Sequence, residues 1–121
     1  MKSKKILLIG GHPKGYDVPF HQNTRSGKIL RGILSKNGIK AKIIDLWKNE
    51  EEQKTGLIAS KVISLLDKYK KGYYIVALGR WVESSLVNHG VNCIYFSHPA
   101  SRRSKDRLTL ERKLIGLNKI A

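Results

Sequence analysis

Residues 4–10, Lys-Lys-Ile-Leu-Leu-Ile-Gly, form an apolar β-rich run without polar alternation. This pattern predicts a strand buried on both faces, and the breakers Gly10, Gly11 and Pro13 end it. After a loop to Arg25, Ser26 is placed to cap a helix whose apolar positions Ile29, Leu30, Ile33 and Leu34 share one face, closed by Asn37 and Gly38. Residues 40–47 read as a second strand. Residues 48–54 are polar and charged, and from Thr55 the positions Ile58, Val62, Leu65, Leu66 and Tyr69 keep helical spacing up to Gly72. Residues 73–78 predict a third strand. Gly79 opens a short helix carrying Trp81, Val82 and Leu86, residues 91–96 predict a fourth strand, and residues 105–117 a last helix.

Strands that alternate with helices pair in parallel through right-handed crossovers. The expected fold is therefore α/β, a three-layer α/β/α sandwich around a four-stranded parallel sheet, with all 121 residues in one domain. Ligands of such sheets sit beyond the carboxyl ends of the strands. Those ends are followed by Gly10-Gly11-His12-Pro13, Asp45-Leu46-Trp47, Gly79-Arg80 and Ser97-His98-Pro99, so the unusual residues of four distant segments converge on one edge.

Charge narrows the partner. With 24 Lys and Arg against 9 Asp and Glu, the net charge of +15 exceeds what solubility needs and attracts polyanions, nucleic acid first. A lysine-rich surface without specific use is the plain alternative. An anionic membrane fits less well, because no segment pairs a bulky apolar face with a cationic one. The lone Cys93 lies in an apolar run and reads as a core thiol; one cysteine forms neither a disulfide nor a cysteine-based metal site. The first nine residues hold too short an apolar stretch for a signal peptide or a membrane span, so an intracellular, cytoplasmic protein is expected.

Two segments are suited to chemistry. The loop Gly10-Gly11-His12-Pro13-Lys14-Gly15 offers backbone amides to an anion or a base edge, although its glycine spacing matches neither the dinucleotide fingerprint nor a P-loop, and a tight turn is the plain alternative. In Ser97-His98-Pro99-Ala100-Ser101-Arg102-Arg103 a histidine at a strand end is followed by hydroxyls and two arginines, which suits a phosphate and an adjacent base.

Taken in order, three segments resemble the uracil-DNA glycosylase superfamily, especially its compact phage or bacterial forms. They are Gly10 to Pro13, then Pro19-Phe20 with Thr24-Arg25-Ser26-Gly27, then Val76-Ala77-Leu78-Gly79-Arg80 ahead of His98-Pro99-Ala100-Ser101. The last is similar to the family's His-Pro-Ser motif with one residue inserted. The resemblance implies a DNA-binding hydrolase of DNA repair that flips a base from single- or double-stranded DNA and cuts its glycosidic bond without a cofactor. Phe20 would stack on the base within a base-binding set that includes Gly10 and Asp45. His98 would donate to the base carbonyl as negative charge builds on the leaving group. Ser101, Arg102 and Arg103 match the loop that grips the strand, with Arg25 and Arg80 as further DNA contacts.

The chain departs from the family's pattern twice. His12 stands where an acidic residue or asparagine usually handles the attacking water, and a neutral imidazole can take that part as a base, with Asp17 the next candidate. Asp45 is nearest to the usual base-reading asparagine, and a carboxylate only accepts hydrogen bonds. The iron-sulfur cluster of some members is ruled out by the single cysteine. Two rival readings remain. One is a glycosylase-like binding module without catalysis; the other is a flavodoxin-like quinone reductase, suggested by residues 6–13 and by Ile43-Ile44-Asp45-Leu46-Trp47. The short chain, the missing Ser/Thr phosphate cluster and the charge argue against the flavin enzyme.

Overall fold

The computed structural model of the chain describes residues 4–13, 15–101 and 103–121. Four strands, β1 (Lys5–Gly10), β2 (Lys42–Asp45), β3 (Tyr73–Leu78) and β4 (Ile94–Phe96), form an all-parallel sheet in the order β2-β1-β3-β4. Five helices connect and follow them: α1 (Arg25–Lys36), α2 (Glu50–Thr55), α3 (Ser60–Tyr69), α4 (Arg80–Asn88) and α5 (Ser104–Ile120). The α/β class and the four-stranded parallel sheet are those read from the sequence, and the helices cover both faces in three layers.

The alternation along β1 explains the layers. Ile6 and Leu8 point into a core with Leu30 and Leu34 of α1 and Leu110, Leu114 and Leu117 of α5. Leu7 and Ile9 point the other way, against Leu66 of α3 and Val82 and Leu86 of α4. All four β1 side chains are almost completely shielded from water, and each such burial is worth about 1.5–3 kcal/mol. A charge at Leu8 would have no partner there.

Several element limits differ from the sequence reading. Thr24, not Ser26, caps α1: its hydroxyl accepts from the Gly27 N–H at 2.9 Å, while Ser26 is buried in the first turn. The polar segment 48–54 contains α2, capped by Asn49, which accepts from the Glu52 N–H, and closed by Gly56 in the left-handed conformation. The expected helix from Thr55 starts at Ser60 instead. β2 and β4 are shorter than the apolar runs that signalled them, although Leu46 and Trp47 beyond β2 still donate their backbone N–H groups to the Gly10 and Gly11 carbonyls, at 3.0 and 2.9 Å. No helix among the described residues is long and apolar enough to cross a membrane.

Candidate functional site

The chain runs from β1 outward to β2 on one side, and from β3 to β4 on the other. The switch point is therefore between β1 and β3, where parallel sheets open a crevice at their carboxyl ends. A cleft of about 280 Å³ lies there, walled by the loop after β1, the start of α4 and the loop after β4. His12, Phe20 and His98 all line it, as do Gln53, Arg80 and Trp81.

Phe20 owes its place to a tightly held loop. It is the one described non-glycine residue with positive φ, at 51°, a conformation that costs of order 1–3 kcal/mol unless its surroundings hold it. Arg31 of α1 supplies the hold, donating from Nε to the Phe20 carbonyl and from a terminal guanidinium nitrogen to the Pro19 carbonyl, each at 2.7 Å. The Thr24 hydroxyl donates to the His21 carbonyl at 2.7 Å, and a Cβ on Gly27 would collide with the Phe20 and His21 carbonyls. Only glycine lets the loop pass that close to α1. The Phe20 ring, 7% exposed, belongs to the core and lines the cleft, with its centroid 6.0 Å from that of His98.

His98 is oriented by its own loop. The Ala100 N–H donates to Nδ1 at 3.0 Å and the Ser101 N–H to the His98 carbonyl at 3.0 Å, while Pro99 between them is fully buried. Since Nδ1 accepts, the neutral ring carries its proton on Nε2. Gly79 makes room for the ring: with φ at 99°, a Cβ there would stand 3.3 Å from the His98 Cβ.

The other expected residues divide. Gly10 and Asp45 are register partners on the α1 and α5 side of the sheet, where a Cβ on Gly10 would collide with the Phe20 ring and with Asp45 Oδ1, and neither lines the cleft. Asp45 Oδ2 is buried without a hydrogen-bond partner, and that burial pushes its carboxyl up to about 6. Arg25 is exposed on the first turn of α1. The Arg80 guanidinium lies 3.7 Å from the Tyr95 ring centroid and pairs with Glu83 at 2.9 Å. Ser101 donates to Asp106 at 2.6 Å and so fastens the loop to α5, and Arg103 stands exposed at the N-cap position of that helix, with no side-chain capping bond. Arg102 lies outside the described residues. Asp17 is exposed and does not line the cleft.

Three further residues escaped the sequence reading. Gln53 rides on α2, and its amide oxygen covers the face of Gly11. The signal was available in the Asn49 cap, the three glutamates of the first turn and Gly56. Trp81 shares α4 with Val82 and Leu86 but is 53% exposed at the cleft mouth. Arg31, as above, acts at a distance along its helix that no local motif marks.

The described walls of the cleft contain two histidines, an amide, hydroxyls, one arginine and two aromatic rings, and no carboxylate. Such a set is chemically able to hold a flat polar ring and to donate to carbonyl groups, and the side-chain bases among these described walls are the two imidazoles. Comparison of the chain with protein-family models, with curated proteins and with solved structures finds no match in any of the three.

Proposed function

We propose that the protein is a DNA glycosylase of the uracil-DNA glycosylase type, which binds DNA, takes an extruded base into the cleft and hydrolyses its N-glycosidic bond. One observation carries the reading: His98, with Nδ1 already accepting from Ala100, shares a small cleft at the β1/β3 switch point with Phe20 and His12. The base stacks against Phe20, and His98 Nε2–H donates to its carbonyl. As the bond between C1′ and the base nitrogen breaks, its electron pair moves onto the base, where this donor stabilises it. Water adds its oxygen to C1′ and gives its proton to His12. Gln53, rather than Asp45, reads the base edge, because an amide offers both a donor and an acceptor whereas a carboxylate only accepts.

A second reading, a binding module of the same fold without catalysis, draws on the absence of any carboxylate from the described walls of the cleft. The β2-β1-β3-β4 order is shared with the first strands of flavodoxin-like sheets, so the choice of ligand rests on the switch-point residues and not on topology. A cleavage assay on oligonucleotides carrying uracil, hypoxanthine or modified pyrimidines decides between enzyme and binder. Release of one base supports the enzyme; tight binding with no release from any of them supports the module. A yellow purified protein would mean flavin.

A further inference from the structure

The protein's charge is divided between the two ends of its sheet. Seven of the nine acidic residues, all but Asp67 and Glu111, belong to the carboxyl end, in the loop after β1, the end of β2, helix α2 and the first turns of α4 and α5. Asp67 is paired with Lys70 at 2.9 Å, and Glu111 accepts from Asn37 at 2.9 Å and lies 3.5 Å from Lys36. The amino end is almost purely cationic. There Lys4, Lys5, Lys40 and Lys42 edge a shallow groove of about 530 Å³ that Asn118 and Ala121 also line, with no Asp or Glu in its described walls.

Tyrosine faces lie beneath three of these lysines. The Lys4 ammonium is 5.1 Å from the centre of the Tyr74 ring, Lys5 is 6.0 Å from Tyr73 and Lys42 is 5.3 Å from Tyr69. A ring face orients an ammonium without neutralising it. Lysines in last helical turns, such as Lys36 and Lys68, are accounted for by the helix dipole. Lys4, Lys5, Lys40 and Lys42 lie outside helices, so the dipole does not explain them, and protection of an edge strand would explain only Lys42.

We propose that this amino-end patch is a second nucleic-acid site, which holds the phosphate backbone of a DNA segment other than the one at the cleft. Lysine suits that partner, because a compact point charge neutralises phosphate without reading sequence. A membrane suits it less, since the tyrosine rings sit under the lysines and do not project for insertion. The six residues of β1 separate the two ends of the sheet by about 17 Å, so a straight duplex seated at the cleft runs clear of the patch. One protein molecule then joins two segments. The inference rests on the proposed reading in one respect, that the cleft holds DNA, and not on what the cleft catalyses; the salt slope tests the patch apart from the cleft.

The test replaces Lys4, Lys5, Lys40 and Lys42 by glutamine and follows binding to an unmodified duplex as salt is raised. The slope of log affinity against log salt should shrink by about 3 to 4, at about 0.9 for each phosphate no longer neutralised. Energy transfer between a donor-labelled and an acceptor-labelled duplex, present with the wild type, should vanish, and arginine at the same four positions should restore both. A control with Lys28, Lys54, Lys61 and Lys113 changed to glutamine removes the same charge and should keep the energy transfer. The proposal is overturned if the patch variant keeps the wild-type slope and energy transfer, or if the control loses as much. It is equally overturned if the patch variant loses binding to phosphatidylglycerol vesicles but not to DNA.

Discussion

Arg31 and Phe20 are joined by a 2.7 Å hydrogen bond from the guanidinium Nε to the Phe20 carbonyl, and the same guanidinium takes the Pro19 carbonyl. A planar fork on α1 thereby fixes a left-handed residue in the loop that forms one wall of the cleft. Arg31→Lys keeps the charge but cannot reach both carbonyls from one rigid plane. The substitution should lower stability by about 1–3 kcal/mol, the worth of hydrogen bonds to a charged donor, read as a reduced midpoint in urea. It should also weaken DNA binding by loosening Phe20. A midpoint equal to that of the wild type would show that the fork does not hold the loop.

The regular elements were legible because burial dictates them. The unbroken apolar run of β1 reflects shielding on both faces, and the spacing of Leu30 and Leu34 reflects one buried face of α1. The convergence of His12 and His98 followed from parallel topology, which brings strand ends together whatever the local sequence. What stayed hidden was held by capping and long-range polar contacts. Helix α2 buries none of its residues and so has no apolar stripe to read; its cap and glutamates make it, and with it the position of Gln53. Asp45 was expected beside the base, but β2 register sets it against Gly10, outside the cleft walls. Phe20 itself is both wall and core, two environments that a stacking aromatic and a core aromatic share in sequence.

Asp45 should make stability depend on pH. Burial raises its folded-state value to about 6 from the ordinary 3.8, so between these values the folded protein binds more protons than the unfolded chain. Its contribution to stability therefore falls as pH rises from about 4 through 6 and is lowest above that. Two units correspond to roughly 3 kcal/mol as an upper figure. Asp45→Asn should be more stable than the wild type at pH 8, with the advantage gone at pH 4, as read by thermal unfolding at the two pH values. An advantage of equal size at both would mean that the ionised carboxylate is not the source of the penalty.

Trp81 should report on DNA directly. It is 53% exposed at the cleft mouth, whereas Trp47 is 3% exposed and donates from Nε1 to the Leu57 carbonyl at 2.8 Å. Titration with single-stranded DNA should quench or shift the emission, and Trp81→Phe should remove most of the change. Trp81→Ala should cost about 1–3 kcal/mol in affinity, the worth of one stacked base. A full spectral change in Trp81→Phe would place the DNA away from the cleft mouth.

Whether His98 stabilises charge on a departing base is read from single-turnover excision on the oligonucleotide panel, with DNA affinity measured beside it. The wild type should release one of the bases. His98→Ala should do so about 100- to 1000-fold more slowly, because the donor acts on charge that exists mainly in the transition state, while binding DNA nearly as well. His12→Ala, as the loss of a general base, should slow release on the order of 100- to 10,000-fold. Excision by His98→Ala at the wild-type rate, or no release of any base by the wild type, would rule out this role for His98.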